Sequence, residues 1–181
     1  MDITYSEQFP KHSDVEYIAA EGNWNHQPRL PKKLNPKDPK YAKILKEWGR
    51  YNELQLDDFE VSEVLEIDID NDQVQETIIV ANNMHAPIIT EPNRFSAILM
   101  YKNNIPFEVA SFHLSPESAK HCGLDNICYG AIYTLAMFLD YDGDGVLEII
   151  TDDKVNDGRG QSIRQWKGNK FNIVLSWGCG H

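Results

Sequence analysis

The feature that most constrains this chain is a short acidic pattern that occurs twice. Asp68-Ile-Asp-Asn-Asp-Gln-Val-Gln-Glu76 aligns without a gap on Asp140-Tyr-Asp-Gly-Asp-Gly-Val-Leu-Glu148, at an offset of 72 residues. Asp68/Asp140, Asp70/Asp142, Asp72/Asp144, Val74/Val146 and Glu76/Glu148 coincide. Four carboxylates within nine residues repel one another at the separations a tight loop imposes. A loop of this kind orders against a counter-charge, and that points to a bound cation. The competing reading is a polar hairpin turn, because Asp and Gly are also turn formers.

The donors are all oxygens, which suits calcium, a hard cation that takes roughly six to eight of them. Asp stands at positions 1, 3 and 5 of each loop and Glu at position 9, while the backbone carbonyl of Val74 or Val146 is available at position 7. The valine side chains are expected to tuck into a sheet. Gly145, at position 6, permits a positive φ; Gln73, in the same place, would be strained by it. Two calcium sites are therefore expected, with Asp140, Asp142, Asp144, Val146 and Glu148 forming the stronger one. Asp68, Asp70, Asp72, Val74 and Glu76 form the weaker. Magnesium fits less well, because it prefers a near-ideal octahedron that retains water. An EF-hand needs its bidentate Glu at position 12 between two helices, whereas position 12 here is Ile79 or Thr151 and the flanks are rich in β-formers.

From Phe59 onward, runs rich in β-branched and aromatic residues alternate with Asn, Asp, Gly and Pro clusters. Strands are predicted at 59–67, 76–80, 95–101, 107–112, 132–139, 147–151, 163–166 and 171–177. Tyr101-Lys-Asn-Asn104 also resembles Trp166-Lys-Gly-Asn169, so each unit reads strand, acidic loop, strand, connection, strand, polar turn, strand. The fold class is mainly β: two four-stranded, propeller-blade-like antiparallel units packed together, plus one N-terminal helix. Two blades cannot close a ring, which takes at least about four. A single domain over 1–181 is expected, with an N-terminal extension at 1–58, a first β unit at 59–112 and a second at 131–178.

The extension carries one well-marked helix at about 39–48. Asp38 is a good N-cap, Pro39 fits the first helical position and Gly49 is expected to end the helix. Tyr41, Ile44, Leu45 and Trp48 form one apolar stripe. Before it, residues 15–20 suit a strand and residues 27–39 read as an extended, Pro-rich connector.

The net charge of −11 is unevenly spread, with 9 Lys/Arg against 8 Asp/Glu in residues 1–55 and 8 against 20 in the rest. This balance argues against nucleic acid as a partner. No apolar stretch is long enough to span a membrane, and the N-terminus has no basic segment followed by an apolar run. Cys122 and Cys128 are close enough to bridge if their loop bends back, and read equally well as two free thiols; Cys179 is left over. Six scattered histidines form no zinc-hydrolase motif. Trp24, His26, Tyr101, Trp166 and Trp177 suggest an aromatic surface for sugar or peptide, although strand aromatics are more often core.

At the acidic loops the chain resembles the FG-GAP/VCBS repeats, whose blades carry Asp-x-Asp-x-Asp-Gly-x-x-Asp/Glu calcium loops between strands. It looks closest to small bacterial proteins with two such loops and a C-terminal Gly-Cys-Gly, here Gly178-Cys-Gly180. The resemblance covers roughly 59–180 and implies the ligand set named above, together with an extracytoplasmic location. The expected function is a non-enzymatic, calcium-stabilised β-module of an exported protein that binds a protein or glycan partner. One alternative is an inhibitor or immunity-type protein that blocks an enzyme, whose structural sign would be a protruding acidic loop at 152–157. Another is a calcium-dependent hydrolase, which needs a histidine or carboxylate beside an open coordination position.

Overall fold

The computed structural model describes residues 22–89, 91–123 and 127–180; the strand expected at 15–20 lies outside these. The elements run β1 (Lys32–Lys33), α1 (Pro39–Tyr51), β2 (Glu60–Ile67), β3 (Glu76–Asn82), β4 (Ile88–Ile89), β5 (Arg94–Lys102), β6 (Ile105–Leu114), α2 (Pro116–Ala119), β7 (Cys128–Tyr129), β8 (Ile132–Leu139), β9 (Glu148–Val155), β10 (Gly158–Trp166) and β11 (Phe171–Gly180). Two open antiparallel sheets result, ordered β1-β2-β3-β5-β6 and β11-β10-β9-β8, and β4 pairs with β7 in a small third one. Each large sheet contains one four-strand meander, and neither closes into a ring.

Period-two alternation decides which side chains meet. From the first sheet, Leu65, Ile67, Ile78, Val80, Ile98 and Met100 join Phe138, Leu147, Ile149 and Trp166 of the second unit in one buried cluster. The intervening residues Val64, Ile79, Ala81, Ala97 and Leu99 pack against Tyr41, Leu45 and Trp48 of α1. The first sheet is thus covered on both faces, and this explains the unbroken apolar run at 97–100. Each large aliphatic side chain buried in these layers stabilises the fold by about 1.5 to 3 kcal/mol. The layers are helix, sheet and sheet, with the two acidic loops at β2–β3 and β8–β9.

Helix α1 begins as expected: the Asp38 side chain accepts from the Lys40 N–H and Pro39 is the first helical residue. It does not end at Gly49. It continues to Tyr51, and Leu54 N–H then bonds back to the Gly49 carbonyl while Glu53 takes φ 57°. This is a Schellman closure around a non-glycine residue. Gly49 lies inside the helix, where an added Cβ would come within 2.6 Å of Leu56, so it permits close packing and does not act as a cap.

The 27–39 connector contributes β1, which pairs with β2 at Lys32–Glu66 and Lys33–Leu65. Segment 152–157 is no protruding loop: Asp152–Val155 completes β9, and Asn156-Asp157 form the tight turn into β10. Cys122 and Cys128 form a disulfide, and Cys179 is free and exposed. Trp166 lies in the inter-sheet core against Phe107 and Phe171, so the five aromatics named above form no common surface.

Candidate metal centre

Each acidic loop leaves the sheet at its first aspartate and re-enters at its glutamate. Asp68 and Glu76 are buried in the first loop, as are Asp140 and Glu148 in the second. Three bonds along the path between them recur in both copies. The second copy adds bonds from the Gly143 N–H to Asp140 Oδ1 and from the Asp144 N–H to Asp142 Oδ1, whereas Asp68 Oδ1 has no partner. The Ile69 N–H donates to Glu76 Oε2 at 2.8 Å, and the Tyr141 N–H donates to Glu148 Oε2 at 2.9 Å. The amides of Gln73 and Gly145 each donate to Oδ2 of the first aspartate at 3.1 Å. Those of Val74 and Val146 each donate to Oδ1 of the fifth-position aspartate at 2.8 Å. The 72-residue repeat is therefore a repeat of geometry as well as of residue type.

The positive φ values coincide too. Asn71 and Gln73 take φ 61° and 67°, and their counterparts Gly143 and Gly145 take 80° and 85°. Glycine adopts this region freely, whereas a side chain there costs roughly 1 to 2 kcal/mol. Gln73 carries the strain expected of it.

The loops bring together two groups of three carboxylates, Asp68/Asp70/Glu76 and Asp140/Asp142/Glu148, whose ligand atoms lie within 4.8 Å of one another. Either group could hold a metal ion. The fifth-position aspartates Asp72 and Asp144 are not part of these groups; each caps the following valine amide. Val146 packs against the inter-sheet core as expected, whereas Val74 is 51% exposed and does not tuck into the sheet.

The two groups differ sharply in charge compensation. In the first, Lys102 Nζ lies 2.8 and 2.7 Å from the two carboxylate oxygens of Asp70, 3.0 Å from Asp72 Oδ2 and 2.7 Å from Glu76 Oε1. Burial alone would lower the Lys102 pKa, but its bonds to Asp70, Glu76 and Asp72 outweigh this and hold it above the ordinary lysine value. Asp72 is shifted down by the same ammonium and by the Val74 N–H. In the second group, among the described residues, no lysine or arginine forms an ion pair with Asp140, Asp142, Asp144 or Glu148. Glu148 is 0% exposed, and its Oε1 has no hydrogen-bond partner. Burial pushes its carboxyl up to about 7 and the nearby Asp142 and Asp144 charges add to the rise. Against them stand the Tyr141 N–H and the neighbouring Gln165 amide, whose Nε2 donates to Asp142 Oδ2 and not to Glu148 Oε1.

Sequence reasoning passed over the residues that organise this region. Arg29, from the connector, donates Nε to the Asp68 carbonyl at 2.7 Å and Nη2 to the Gly145 carbonyl at 2.6 Å, with a longer bond to Ile69. The Leu147 N–H donates to the Ile69 carbonyl at 2.8 Å, so the loops are joined directly as well. Trp24 packs over Gly143 and donates its indole N–H to the Asp140 carbonyl at 2.9 Å. Lys102 and Gln165 were hidden by the alignment of Tyr101-Lys102 on Trp166-Lys167. Strand register corrects it: Thr77 faces Tyr101, which puts Glu76 opposite Lys102, and Ile149 faces Arg164, which puts Glu148 opposite Gln165. Gln165 Nε2 donates to Asp142 Oδ2 at 3.3 Å.

Comparison with family models, with curated proteins and with solved structures finds no match to this chain.

Proposed function

We propose that this chain is a calcium-stabilised β-module of an exported protein, whose exposed surface engages a protein or glycan partner. The observation that carries the reading is the buried Glu148 carboxylate, whose Oε1 is unpartnered within a group of carboxylates that no lysine or arginine among the described residues ion-pairs. A buried charge without a partner is costly, and a divalent cation at that point removes the cost. All the side-chain donors there are oxygens, which favours a hard ion, and the flexible multi-carboxylate set favours calcium over magnesium. The Asp140–Glu148 loop is the stronger candidate, and the Asp68–Glu76 loop, where Lys102 already sits among the carboxylates, is the weaker.

Calcium in this reading is structural. It staples the β8–β9 connection, which packs through Leu147 on the inter-sheet core. The Cys122–Cys128 disulfide supports an oxidising, extracytoplasmic setting. The inhibitor alternative lacks the protruding acidic loop that would have favoured it, since 152–157 is strand and tight turn.

Titrating calcium into chelator-treated protein while following thermal unfolding tests this. An ion present at a hundredfold excess over its dissociation constant stabilises by about 2.7 kcal/mol, roughly 5 to 10 °C for a chain of this size. Asp142→Ala should remove more of that rise than Asp70→Ala. No rise at millimolar calcium overturns the proposal.

A further inference from the structure

Three backbone-to-carboxylate bonds recur in the two acidic loops, and the second loop adds two more from the Gly143 and Asp144 amides. The one difference that changes the charge is the residue across the strand pair from the glutamate. In the first loop, Glu76 Oε2 accepts from the Ile69 N–H and Oε1 accepts from Lys102 Nζ at 2.7 Å. In the second, Glu148 Oε2 accepts from the Tyr141 N–H and Oε1 has no partner. The atom that Lys102 satisfies in one copy is the atom left without a partner in the other. Register places Gln165 where Lys102 would be, and a neutral amide cannot offset the charge of Asp140, Asp142 and Glu148.

We infer that Lys102 is a tethered cation that takes the place of a metal ion in the Asp68 loop, so the chain holds one calcium ion, at the Asp140 loop, and not two. The Lys102 side chain is only 11% exposed, and its ammonium reaches three carboxylates of one loop at 2.7 to 3.0 Å. Two of these, Asp70 and Glu76, belong to the group that could hold a metal ion; the third member, Asp68, has no bond to Lys102 and keeps a buried Oδ1 without a partner. A metal could enter that group only by displacing the ammonium from Asp70 and Glu76. The tether also makes the ammonium's local concentration far higher than that of a free ion at ordinary solution levels. Lys102 thereby gives the first loop a permanent counter-charge, and Gln165 leaves the counter-charge of the second to the surrounding calcium concentration.

The inference rests on the reading of the Asp140 loop as a calcium site, and a two-way exchange separates the two. Lys102→Gln gives the first loop the arrangement of the second, and Gln165→Lys does the reverse. Calcium stoichiometry is measured by isothermal titration calorimetry and native mass spectrometry on chelator-stripped protein, with circular dichroism confirming the fold. The expected counts are one ion per chain for the native sequence, two for Lys102→Gln and none for Gln165→Lys. Lys102→Met, which retains an apolar stem, replaces Lys102→Gln if that variant does not fold. Two ions in the native protein, or one still bound by Gln165→Lys, overturn the inference while leaving calcium binding itself intact. No ion in the native protein overturns the functional reading; Lys102→Gln then decides the inference, with one ion supporting it and none overturning it.

Discussion

Replacing Glu148 by Gln should make the calcium-free protein more stable, although the same change should abolish its response to calcium. Glu148 is fully buried, and its carboxyl is pushed from an ordinary 4.5 up to about 7 in the fold. The folded chain therefore holds this proton more tightly than the unfolded chain does. Between those two values the unfolded state ionises first, so stability falls as pH rises through the window. A displacement of this size corresponds to about 3 kcal/mol, fully lost above the folded value and regained below the unfolded one. The introduced amide would keep an oxygen for the Tyr141 N–H, and its NH2 group can donate to the neighbouring carboxylates. In chelator at pH 8, Glu148→Gln should gain about 2 to 3 kcal/mol, roughly 5 to 10 °C in melting temperature. At pH 5 the gain should shrink to below about 1 kcal/mol. In saturating calcium the order should invert, because only the native carboxylate has an ion to pair with. Thermal scans at the two pH values, with chelator and with calcium, measure all four quantities. A Glu148→Gln protein less stable than the native one in chelator at pH 8 would refute the claim that this carboxylate is an unpaired buried charge.

Two further outcomes test the parts of the fold that hold the site. Gln73→Gly relieves a side chain held at φ 67° and should raise stability by about 1 kcal/mol in urea denaturation; a loss would mean that the Gln73 side chain makes a compensating contact. Leu45→Ala opens a cavity beneath α1, where Leu45 is 0% exposed, and should cost about 2 to 5 kcal/mol. Its calcium stoichiometry should not change, because the helix packs on the opposite face of the first sheet from the inter-sheet core that anchors Leu147; a changed count would couple the helix to the site.

Strand positions were legible because they depend on local pattern. Alternation and turn residues mark the eight main strands, although β9 runs on to Val155 and β10 begins at Gly158, beyond the expected 147–151 and 163–166, and Asp38-Pro39 marks the start of α1. The acidic loops were legible because their donors are contiguous. What escaped were decisions made across the sheet. Lys102 and Gln165 lie 26 and 17 residues from the glutamates they face, and only strand register reveals the pairing. The resemblance at Tyr101-Lys102 and Trp166-Lys167 favoured a pairing two residues out, on the same face. Arg29 was invisible for a similar reason: it sits in a Pro-rich stretch with no pattern, and its role comes from where that stretch crosses the loops. Gly49 was misread as a cap because glycine answers two needs, positive φ and close packing, which sequence alone does not separate.

The junction of the two loops has a consequence for affinity. The Leu147 N–H is anchored on the Ile69 carbonyl, and Leu147 immediately precedes Glu148. Arg29 holds the carbonyls of Asp68 and Ile69 on one side and that of Gly145 on the other. The first loop, kept in order by Lys102, thus serves as a fixed wall for the second. A site ordered before its ion arrives loses less conformational entropy on binding. Deleting the Arg29 charge outright would confuse the test, because removing a cation beside acidic loops also favours calcium. Arg29→Lys keeps the charge and loses the planar fork that spans three carbonyls. Calcium affinity at the Asp140 loop should then fall by about 1 kcal/mol, roughly fivefold, although none of the Arg29 bonds named above goes to a carboxylate of that loop. Calorimetric titration of Arg29→Lys against the native protein measures the change. An unchanged dissociation constant would mean that the second loop orders on its ion alone, and that the contact between the two loops holds the sheets together without preparing the site.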